Sequence, residues 1–413
     1  MKRLLLFTEN FPFGRGEEFL EEEIGYYRAV FDSIHLIPAS LADGTIRPLP
    51  AGVAIVTEFA DLLSGASRFT RGVQAVRFPG LLREIIKNVP LSLSRRGLQR
   101  IYAFAWKGRL LAGWLPAYLR RKNFDPEACV FFAYWLVGAV TGLSLVPSVY
   151  QSGRFVALAH GYDLYEQRND PPFFPFRERT IRKLHQVFVI SRHGLRHLQA
   201  RHPGDAAKFS HTPRGTVDPG KLADFSEDGK LRIVSCSFMV PVKRVHLLAE
   251  ALRLAGKECP AEKQIVWTHI GDGPLRRELE DGCRLFSGKV MWRFLGYVPQ
   301  PQVMDFYREN PVDVFMNVSS HEGIPTSVME SQSCGVPVMA TAVGGTPEIV
   351  NPENGWLLPE NPSAREIADI LLGLLQNKKA LLEKRKLSRK NWEHFYNADK
   401  NSPALVKAVA GCS

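Results

Sequence analysis

Short apolar runs alternate with longer stretches of helical periodicity along most of this chain. In the first half, runs that predict buried strands occupy residues 3–8, 33–37, 53–56, 130–135, 154–159 and 186–190. In the second half, the corresponding runs occupy residues 231–236, 265–270, 291–294, 312–316 and 336–340. Apolar runs separated by helices are typical of parallel sheets that are covered on both faces. The pattern therefore predicts an α/β protein.

The alternation is interrupted once near the middle, where residues 211–219 combine Pro, Gly and Asp. A chain of 413 residues is too long for one core of ordinary size, so we expect two domains. We place the boundary between residues 217 and 218, so that an N-terminal domain spans 1–217 and a C-terminal domain begins at 218. The last helices are predicted at residues 364–376 and 379–395.

The net charge of +11 is concentrated in residues 61–125, which hold 13 Lys or Arg against 3 Asp or Glu. The same segment carries Leu, Ile, Phe and Trp at helical intervals. Basic amphipathic helices bind anionic membrane surfaces. A solvated basic face over a stripe that packs on the core explains the pattern equally well. No nucleic-acid recognition motif accompanies the charge, so we expect no nucleic-acid partner.

Residues 128–153 contain no charged side chain, and the stretch is long enough to cross a bilayer. Gly138, Gly142 and Pro147 interrupt it, however, and its β-branched and aromatic start favours a buried strand followed by a buried helix. We therefore predict no membrane span. The first residues read as a strand rather than a signal peptide, and six cysteines without a CxxC pair indicate a cytoplasmic protein without a metal site.

Candidate chemistry lies in residues 319–330, where Glu322 and Glu330 are eight positions apart. Pro325 between them suits the first turn of a helix. Free N–H groups at such a helix start, with the positive end of the helix dipole, form an anion site suited to phosphate. Alternatively, Glu322 is a solvated loop residue and Glu330 lies on the polar face of an amphipathic helix.

This segment resembles the Glu-x7-Glu signature of retaining nucleotide-sugar glycosyltransferases of family four, and a turn at residues 344–348, Gly-Gly-Thr-Pro-Glu, extends the match. The resemblance implies the GT-B architecture, in which two Rossmann-like domains face each other across a cleft. It also implies that the C-terminal domain ends at 387 and that a helix within 388–413 crosses back to the N-terminal domain. The expected donor is a nucleoside-diphosphate sugar, and no cofactor is expected.

The resemblance also implies roles for individual residues. Glu322 would hold hydroxyls of the donor sugar, Glu330 would hold the ribose, and Lys243 would bind the diphosphate. His160 would meet the sugar from the N-terminal domain, together with Asp163 of the same His-Gly-x-Asp element. Further donor contacts are expected from Gly14, Arg15, Gly16, Arg244, Gly271, Gly273, Tyr297, Val298, Gly323, Ile324, Pro325, Thr326 and Ser327.

Simpler explanations remain for two of these residues, and one position departs from the family pattern. His160 could be a hydrogen-bonded core histidine, and Asp163 could cap the segment that follows it. Phe238 stands where the family usually has an Arg, five residues before Lys243. Either Arg244 or Arg15 supplies the second positive charge, or donor binding is weaker.

Residues 8–12, Thr-Glu-Asn-Phe-Pro, and residues 160–165, His-Gly-Tyr-Asp-Leu-Tyr, look most like bacterial enzymes of capsule, exopolysaccharide or O-antigen assembly. This resemblance implies retaining transfer of a sugar to a polyprenyl-diphosphate-linked saccharide at the inner face of the cytoplasmic membrane. Alternatives are a soluble transferase acting on a small sugar or sugar phosphate, and a catalytically silent subunit that binds a nucleotide-sugar or a partner. The sequence has no Asp-x-Asp motif, so we expect a metal-independent reaction.

Overall fold

The computed structural model describes residues 2–14, 16–42 and 44–411. It divides into two compact units: residues up to Thr212 together with those from Ser402 onward, and Pro213–Asn401. Each unit is built around one parallel sheet with helices on both faces, so the predicted α/β class is confirmed.

The first unit contains a seven-stranded sheet in the order β3-β2-β1-β4-β5-β6-β7. Its elements are β1 Arg3–Thr8, α1 Phe19–Arg28, β2 Ser33–Pro38, β3 Val53–Ile55, α2 Glu58–Gly65, α3 Arg68–Val76, α4 Leu81–Lys87, α5 Arg95–Arg121, β4 Cys129–Ala133, α6 Ala139–Leu143, β5 Arg154–Ala159, α7 Arg177–Lys183, β6 Gln186–Val189, α8 Arg192–Arg201 and β7 Phe209–His211.

The second unit contains a six-stranded sheet in the order β10-β9-β8-β11-β12-β13. Its elements are β8 Lys230–Cys236, α9 Val245–Glu258, β9 Gln264–Ile270, α10 Arg276–Cys283, β10 Val290–Phe294, α11 Gln300–Glu309, β11 Val314–Asn317, α12 Thr326–Ser333, β12 Val338–Thr341, α13 Thr346–Ile349, β13 Gly355–Leu358, α14 Ala364–Gln376 and α15 Lys379–Phe395, followed by the start of α16 Ala398–Ala410.

All the strands predicted from apolar runs are present, with ends that differ by one or two residues. The two strands that the pattern missed, β7 and β13, are both edge strands. An edge strand has one neighbour and is only partly buried, so its sequence need not be a continuous apolar run.

The uncharged stretch at residues 128–153 folds as the buried strand β4 and the short buried helix α6. None of the helices in the described ranges is both long enough and apolar enough to cross a membrane. The basic segment is mostly helical, from α2 to α5, and α5 buries one face in the core of the first unit through Ile101, Trp114 and Leu115.

The unit boundaries differ from the predicted ones at 217/218 and 387/388. Thr216 lies in the second unit, where its hydroxyl accepts a hydrogen bond from the indole of Trp392 at 2.8 Å. Ser388 also lies in the second unit, within α15, and its hydroxyl donates to the Val336 carbonyl at 2.8 Å. The chain returns to the first unit only at Ser402, within α16.

Two cations of the first unit bind the end of α16. The Arg154 guanidinium, at the start of β5, donates to the carbonyls of Ala408 and Val409, both at 3.1 Å. The Lys2 ammonium donates to the Ala410 carbonyl. These carbonyls belong to the last turn of a helix, where backbone acceptors have no intrahelical partner. These contacts therefore satisfy backbone acceptors at the end of α16 and attach this end of the helix to Lys2 and to the start of β5.

A buried carboxylate joins three parts of the second unit. Asp313, which is fully buried just before β11, accepts from the Arg232 backbone N–H at 2.7 Å and from the Ser226 hydroxyl at 2.8 Å. The Lys378 ammonium, between α14 and α15, lies 3.2 Å from it. One side chain thus ties β8, the segment before it and the α14–α15 connection to the centre of the sheet.

We expect Asp313→Asn to lower the free energy of unfolding by about 3 kcal/mol, because an amide leaves buried donors and the Lys378 charge unpaired. Urea unfolding measures the loss. Asp305→Asn is the matched control, since Asp305 pairs with Arg308 on the surface of α11 and should cost less than about 0.5 kcal/mol. Equal effects of the two substitutions would contradict this assignment.

Candidate functional site

Each sheet reverses its strand order once, between β1 and β4 in the first unit and between β8 and β11 in the second. In open parallel sheets, ligands bind beside the carboxyl ends of the strands at this reversal, where the neighbouring loops diverge. The loops that follow these strands begin at Glu9, Tyr134, Ser237 and Val318. The predicted site residues that the structure describes lie on these loops, on loops of neighbouring strands or on the helices that follow.

Glu322 lies in the loop between β11 and α12 and is only 7% exposed. Its carboxylate accepts a hydrogen bond from the Lys243 ammonium at 2.7 Å and from the Asn317 amide at 3.1 Å. Burial would raise the pKa of this carboxyl group, but the Lys243 charge and hydrogen bonds from Lys243, Ser319 and Asn317 outweigh burial and lower it. Glu322 is thus a charged carboxylate in a buried loop, not a solvated one.

Lys243 reaches Glu322 because the loops after β8 and β11 are bonded to each other. Ser320 donates its backbone N–H to the Val242 carbonyl at 2.8 Å, and its hydroxyl donates to the same carbonyl at 3.3 Å. Lys243 ends a short 3-10 turn, after which Arg244 adopts the left-handed conformation with φ 48°. This turn places the ammonium of Lys243 beside the carboxylate of Glu322, a contact that the sequence analysis did not predict.

Most of the hydrogen bonds that the Arg244 guanidinium can donate go to acceptors within the protein. Its guanidinium donates to the carbonyls of Val318 at 2.7 Å, Ser319 at 2.9 Å and Glu360 at 2.8 Å, and to the Asn361 side chain at 3.1 Å. An arginine has five N–H donors, so one remains for a ligand. Burial lowers the pKa of the Arg244 guanidinium. Arg244 therefore fastens the Glu322 loop to residues 360–361, which the sequence analysis did not predict.

Glu330 is buried in α12. The pKa of the Cys236 thiol, at the end of β8, is raised by the burial of the thiol and by the negative charge of Glu330. Glu330 thus lies within electrostatic reach of the end of β8, one of the two strands at the reversal point. Gly323, Ile324 and Pro325 lead into α12, whose first turn contains Thr326 and Ser327. Among the described residues, no hydrogen bond uses the backbone N–H groups of Thr326 and Ser327.

The loop after β8 lies against the glycine-containing loop after β9, which in turn contacts the glycine after β10. A Cβ on Gly271 would lie 1.9 Å from the Ser237 carbonyl oxygen, and its N–H donates to the Gly296 carbonyl at 2.8 Å. Gly273 is similarly close to Met239, at 2.6 Å from its carbonyl oxygen. Tyr297 and Val298 follow Gly296 and keep part of their surface exposed. The predicted donor residues of these loops therefore share one edge of the sheet.

A second close approach supports the Glu322 loop. A Cβ on Gly344 would lie 1.9 Å from the Glu322 carbonyl oxygen, and Gly345 donates its N–H to the Gly323 carbonyl at 2.8 Å. Only glycine fits at position 344, where φ is 54°. Neither Gly344 nor Asn317 was among the predicted site residues, although the Gly-Gly pair after a strand was a readable signal for the first.

In the first unit, His160 follows β5 and packs in a cluster of aromatic rings. The centroid of its ring lies 4.4 Å from that of Trp135, 5.2 Å from that of Tyr134 and 5.8 Å from that of Phe19. His160 is buried, and neither ring nitrogen has a hydrogen-bond partner among the described residues. It is therefore not the hydrogen-bonded core histidine of the simpler explanation.

Asp163 is fully buried and holds two loops together. Its carboxylate accepts from the backbone N–H groups of His160 and Leu136, both at 2.7 Å. One oxygen lies 3.9 Å from Nδ1 of His160, beyond hydrogen-bond distance. Asp163 thus fixes the backbone beside His160, and the geometry assigns it to positioning rather than to direct contact with a substrate.

The loop between β1 and α1 contains Gly14 and Gly16, both with positive φ, whereas Arg15 lies outside the described residues. The Arg47 guanidinium donates to the carbonyls of Gly14 at 2.5 Å and Gly16 at 3.4 Å.

In the second unit, Phe238 follows β8 and is 59% exposed. The usual family Arg is therefore replaced by an uncharged ring that leaves Lys243 as the cation beside Glu322.

We expect Lys243→Met to lower the free energy of unfolding by about 3 kcal/mol at pH 7, because Glu322 would remain buried without its counter-charge. Without Lys243, burial should raise the pKa of Glu322 above its ordinary value. Protonation as the pH falls toward 4 should then relieve the penalty. In the wild type, by contrast, the stability from the lowered pKa is lost as the pH falls through that value.

Urea unfolding at several pH values checks this expectation, and Lys257→Met, which changes an exposed lysine of α9, is the control. The difference from the wild type should be largest at pH 7 and should shrink in acid. A difference that is independent of pH would contradict a charge-based role for the pair.

The family model for glycosyl transferases group 1 matches residues 223–393. The putative colanic acid biosynthesis glycosyltransferase WcaL of Escherichia coli K12 is 26% identical over 288 residues, which cover 66% of this chain and 68% of WcaL. The amylovoran biosynthesis glycosyltransferase AmsK of Erwinia amylovora is 26% identical over 278 residues, or 63% of this chain and 65% of AmsK. The matches thus span about two thirds of these relatives.

The crystal structure of Anabaena HepE in complex with UDP and glucose matches with a TM-score of 0.63 and 16% identity, and the match covers 99% of both chains. At this identity the likeness shows the fold, which is GT-B, as predicted. The match of residues 223–393 to the glycosyl transferases group 1 family, together with these relatives, shows that the chain is a glycosyltransferase.

Proposed function

We propose that this glycosyltransferase moves a sugar, with retention, from a nucleoside-diphosphate sugar to a lipid-linked saccharide in bacterial surface-polysaccharide synthesis. The main support for a nucleotide-sugar donor is the Lys243–Glu322 pair, which lies at the reversal point of the second sheet, beside the start of α12. WcaL and AmsK, both named for exopolysaccharide synthesis, support the acceptor class. HepE holds UDP and glucose, which makes UDP-glucose the first donor to test.

Charge around the leaving group accounts for the proposed chemistry. The Lys243 ammonium and the N–H groups of Thr326 and Ser327 would neutralise the diphosphate, and this stabilisation grows as the diphosphate leaves. The bond from the anomeric carbon to the phosphate oxygen breaks while the acceptor hydroxyl bonds to the same carbon on the same face. The hydroxyl proton passes to the leaving phosphate oxygen. In this scheme the reaction needs no metal and no cofactor.

Glu322 and His160 would act on the sugar rather than on the phosphate. Lys243 and Asn317 donate to the same oxygen of the Glu322 carboxylate, and with the further hydrogen bond from Ser319 three donors are engaged. A carboxylate can accept about four hydrogen bonds, so capacity remains for a sugar hydroxyl. His160 has ring nitrogens without hydrogen-bond partners among the described residues, as a group that binds a substrate hydroxyl requires. Both are assigned to positioning the donor sugar, and neither is assigned as a nucleophile.

We expect UDP-glucose, or another UDP- or GDP-sugar, to raise the melting temperature equally with and without EDTA and to be hydrolysed slowly to the nucleoside diphosphate. Glu322→Gln should reduce this hydrolysis at least 100-fold, because the carboxylate is lost from the centre of the site. Glu353→Gln, which neutralises an exposed glutamate of the same unit, should leave the rate unchanged.

Two results would redirect the proposal. If EDTA abolished the stabilisation, the metal-independent scheme would be wrong. If no nucleotide-sugar stabilised the protein, Phe238 would mark a lost donor site. Activity on a free sugar or sugar phosphate, without activity on a lipid-linked saccharide, would favour the small-acceptor alternative.

The lipid-linked acceptor implies that the protein binds a membrane surface, and we propose that residues 67–98 form the surface that binds it. Within this range, six apolar side chains are more than half exposed: Phe69, Val76, Leu82, Ile86, Val89 and Leu93. The same residues include seven Lys or Arg and one acidic residue, Glu84. The carboxylate of Glu84 accepts from the Phe176 backbone N–H at 2.8 Å and from Asn88 at 3.0 Å, so it is engaged within the unit.

Opposite faces of α4 have different environments. Leu81 and Ile85 pack against the core of the first unit, whereas Leu82 and Ile86, one turn apart, are exposed between Arg83 and Lys87. The core-packing explanation of the basic segment therefore accounts for one face only. Exposed apolar side chains among cations fit the headgroup region of an anionic bilayer.

We expect the protein to bind phosphatidylserine-containing vesicles in a salt-sensitive manner and to bind neutral vesicles weakly. A Leu82→Glu, Ile86→Glu double variant should bind the anionic vesicles at least tenfold more weakly. Leu285→Glu is the matched control, since Leu285 is an equally exposed leucine of the second unit. Sedimentation with vesicles measures all three, and equal losses in the variants would contradict docking through residues 67–98.

A further inference from the structure

Glu17 accepts four hydrogen bonds at the start of α1. Its carboxylate binds the backbone N–H groups of Glu9 at 3.0 Å, Asn10 at 2.8 Å and Phe11 at 2.7 Å. It also accepts from the indole N–H of Trp135 at 2.6 Å. Glu17 is only 4% exposed. The side chain thus connects the loop after β1 to the loop after β4, the two strands that flank the reversal point of the first sheet.

The backbone of Glu17 is in an unfavourable conformation, with φ 57°. For a residue with a Cβ, the left-handed region is sparsely populated and persists when other contacts require it. The four hydrogen bonds are such contacts. A backbone outlier combined with a saturated buried carboxylate indicates a residue selected for its position.

Glu17 lies directly behind the aromatic rings around His160. The Trp135 ring, which donates to Glu17, is the ring nearest to His160, with centroids 4.4 Å apart. Phe19, two residues after Glu17, stacks on His160 at 5.8 Å. Because the nitrogens of His160 have no hydrogen-bond partner among the described residues, ring contacts set the orientation of its imidazole.

We propose that Glu17 is a positioning residue for sugar transfer: its carboxylate fixes Trp135, and through Trp135 the ring of His160, while it holds the loop after β1. The proposal rests on the role proposed above for His160. It requires a carboxylate, since the four donors occupy both oxygens. A glutamine would offer one acceptor oxygen and would direct an NH₂ group at N–H donors.

The experiment compares Glu17→Gln and Trp135→Phe with Glu21→Gln, which makes the same charge change at an exposed position in the first turn of α1. Indole cross-peaks in a ¹H–¹⁵N spectrum report on Trp135, which is assigned by its loss in Trp135→Phe. Imidazole cross-peaks in a ¹H–¹³C spectrum report on His160. Steady-state kinetics give kcat and KM for the nucleotide-sugar that the wild type accepts.

In Glu17→Gln we expect both the Trp135 and His160 signals to move and kcat to fall about 100-fold, because small displacements of a positioning group have effects of this size. The donor KM should rise much less than kcat falls, since Lys243, Thr326 and Ser327, which are proposed to bind the diphosphate, lie in the second unit. Trp135→Phe keeps a ring beside His160 but removes one of the four hydrogen bonds, so kcat should fall about tenfold. Glu21→Gln should change neither signals nor kinetics.

Several results would overturn the proposal. If Glu17→Gln folds and the His160 signal does not move, the proposal is wrong, whether or not the enzyme turns over. If the signals move and kcat does not change, the proposal is also wrong. If Glu17→Gln does not fold, Trp135→Phe decides, and an unchanged kcat in that variant is contradictory. A wild type that transfers no sugar would instead refute the proposed function and leave the Trp135 and His160 signals as the test of positioning.

Discussion

A parallel sheet presents its strand ends at one edge, and this constraint determines where every candidate site residue of this protein lies. The strand order reverses once in each sheet, and in open parallel sheets ligands bind beside the loops at such a reversal. In the second unit these loops bring Lys243 to Glu322, although they are separated by 79 positions. In the first unit they bring Glu17, Trp135 and His160 together.

Buried carboxylates organise both units, and the way each is satisfied indicates what it does. Asp163 and Glu17 accept N–H donors, so they fix backbone and ring positions. Asp313 combines N–H donors with a cation and ties the second sheet to α15. Glu322 accepts from one ammonium, one amide and Ser319, which leaves acceptor capacity for a ligand. Burying such groups is costly unless they are fully paired.

The sequence predicted the two parallel sheets well because buried strands require continuous apolar runs, as in β4. It predicted the Lys243 and Glu322 loops from motif resemblance. It did not predict β7 and β13, since edge strands carry weak patterns. It also failed to anticipate that Arg244 would donate to protein carbonyls, or that Glu17 would span two loops. Such roles depend on which distant segments meet, and local residue patterns do not record this.

The attachment of α16 to the first unit has a consequence for how the protein is made. Residues 402–411 follow Thr212 by about 190 residues, and at roughly 5–20 residues per second they leave the ribosome about 10–40 seconds later. During that interval Arg154 and Lys2 lack the carbonyls that they bind in the finished structure. The whole second unit is synthesised before the first receives its last segment, so the unit that is begun first is the one that is completed last.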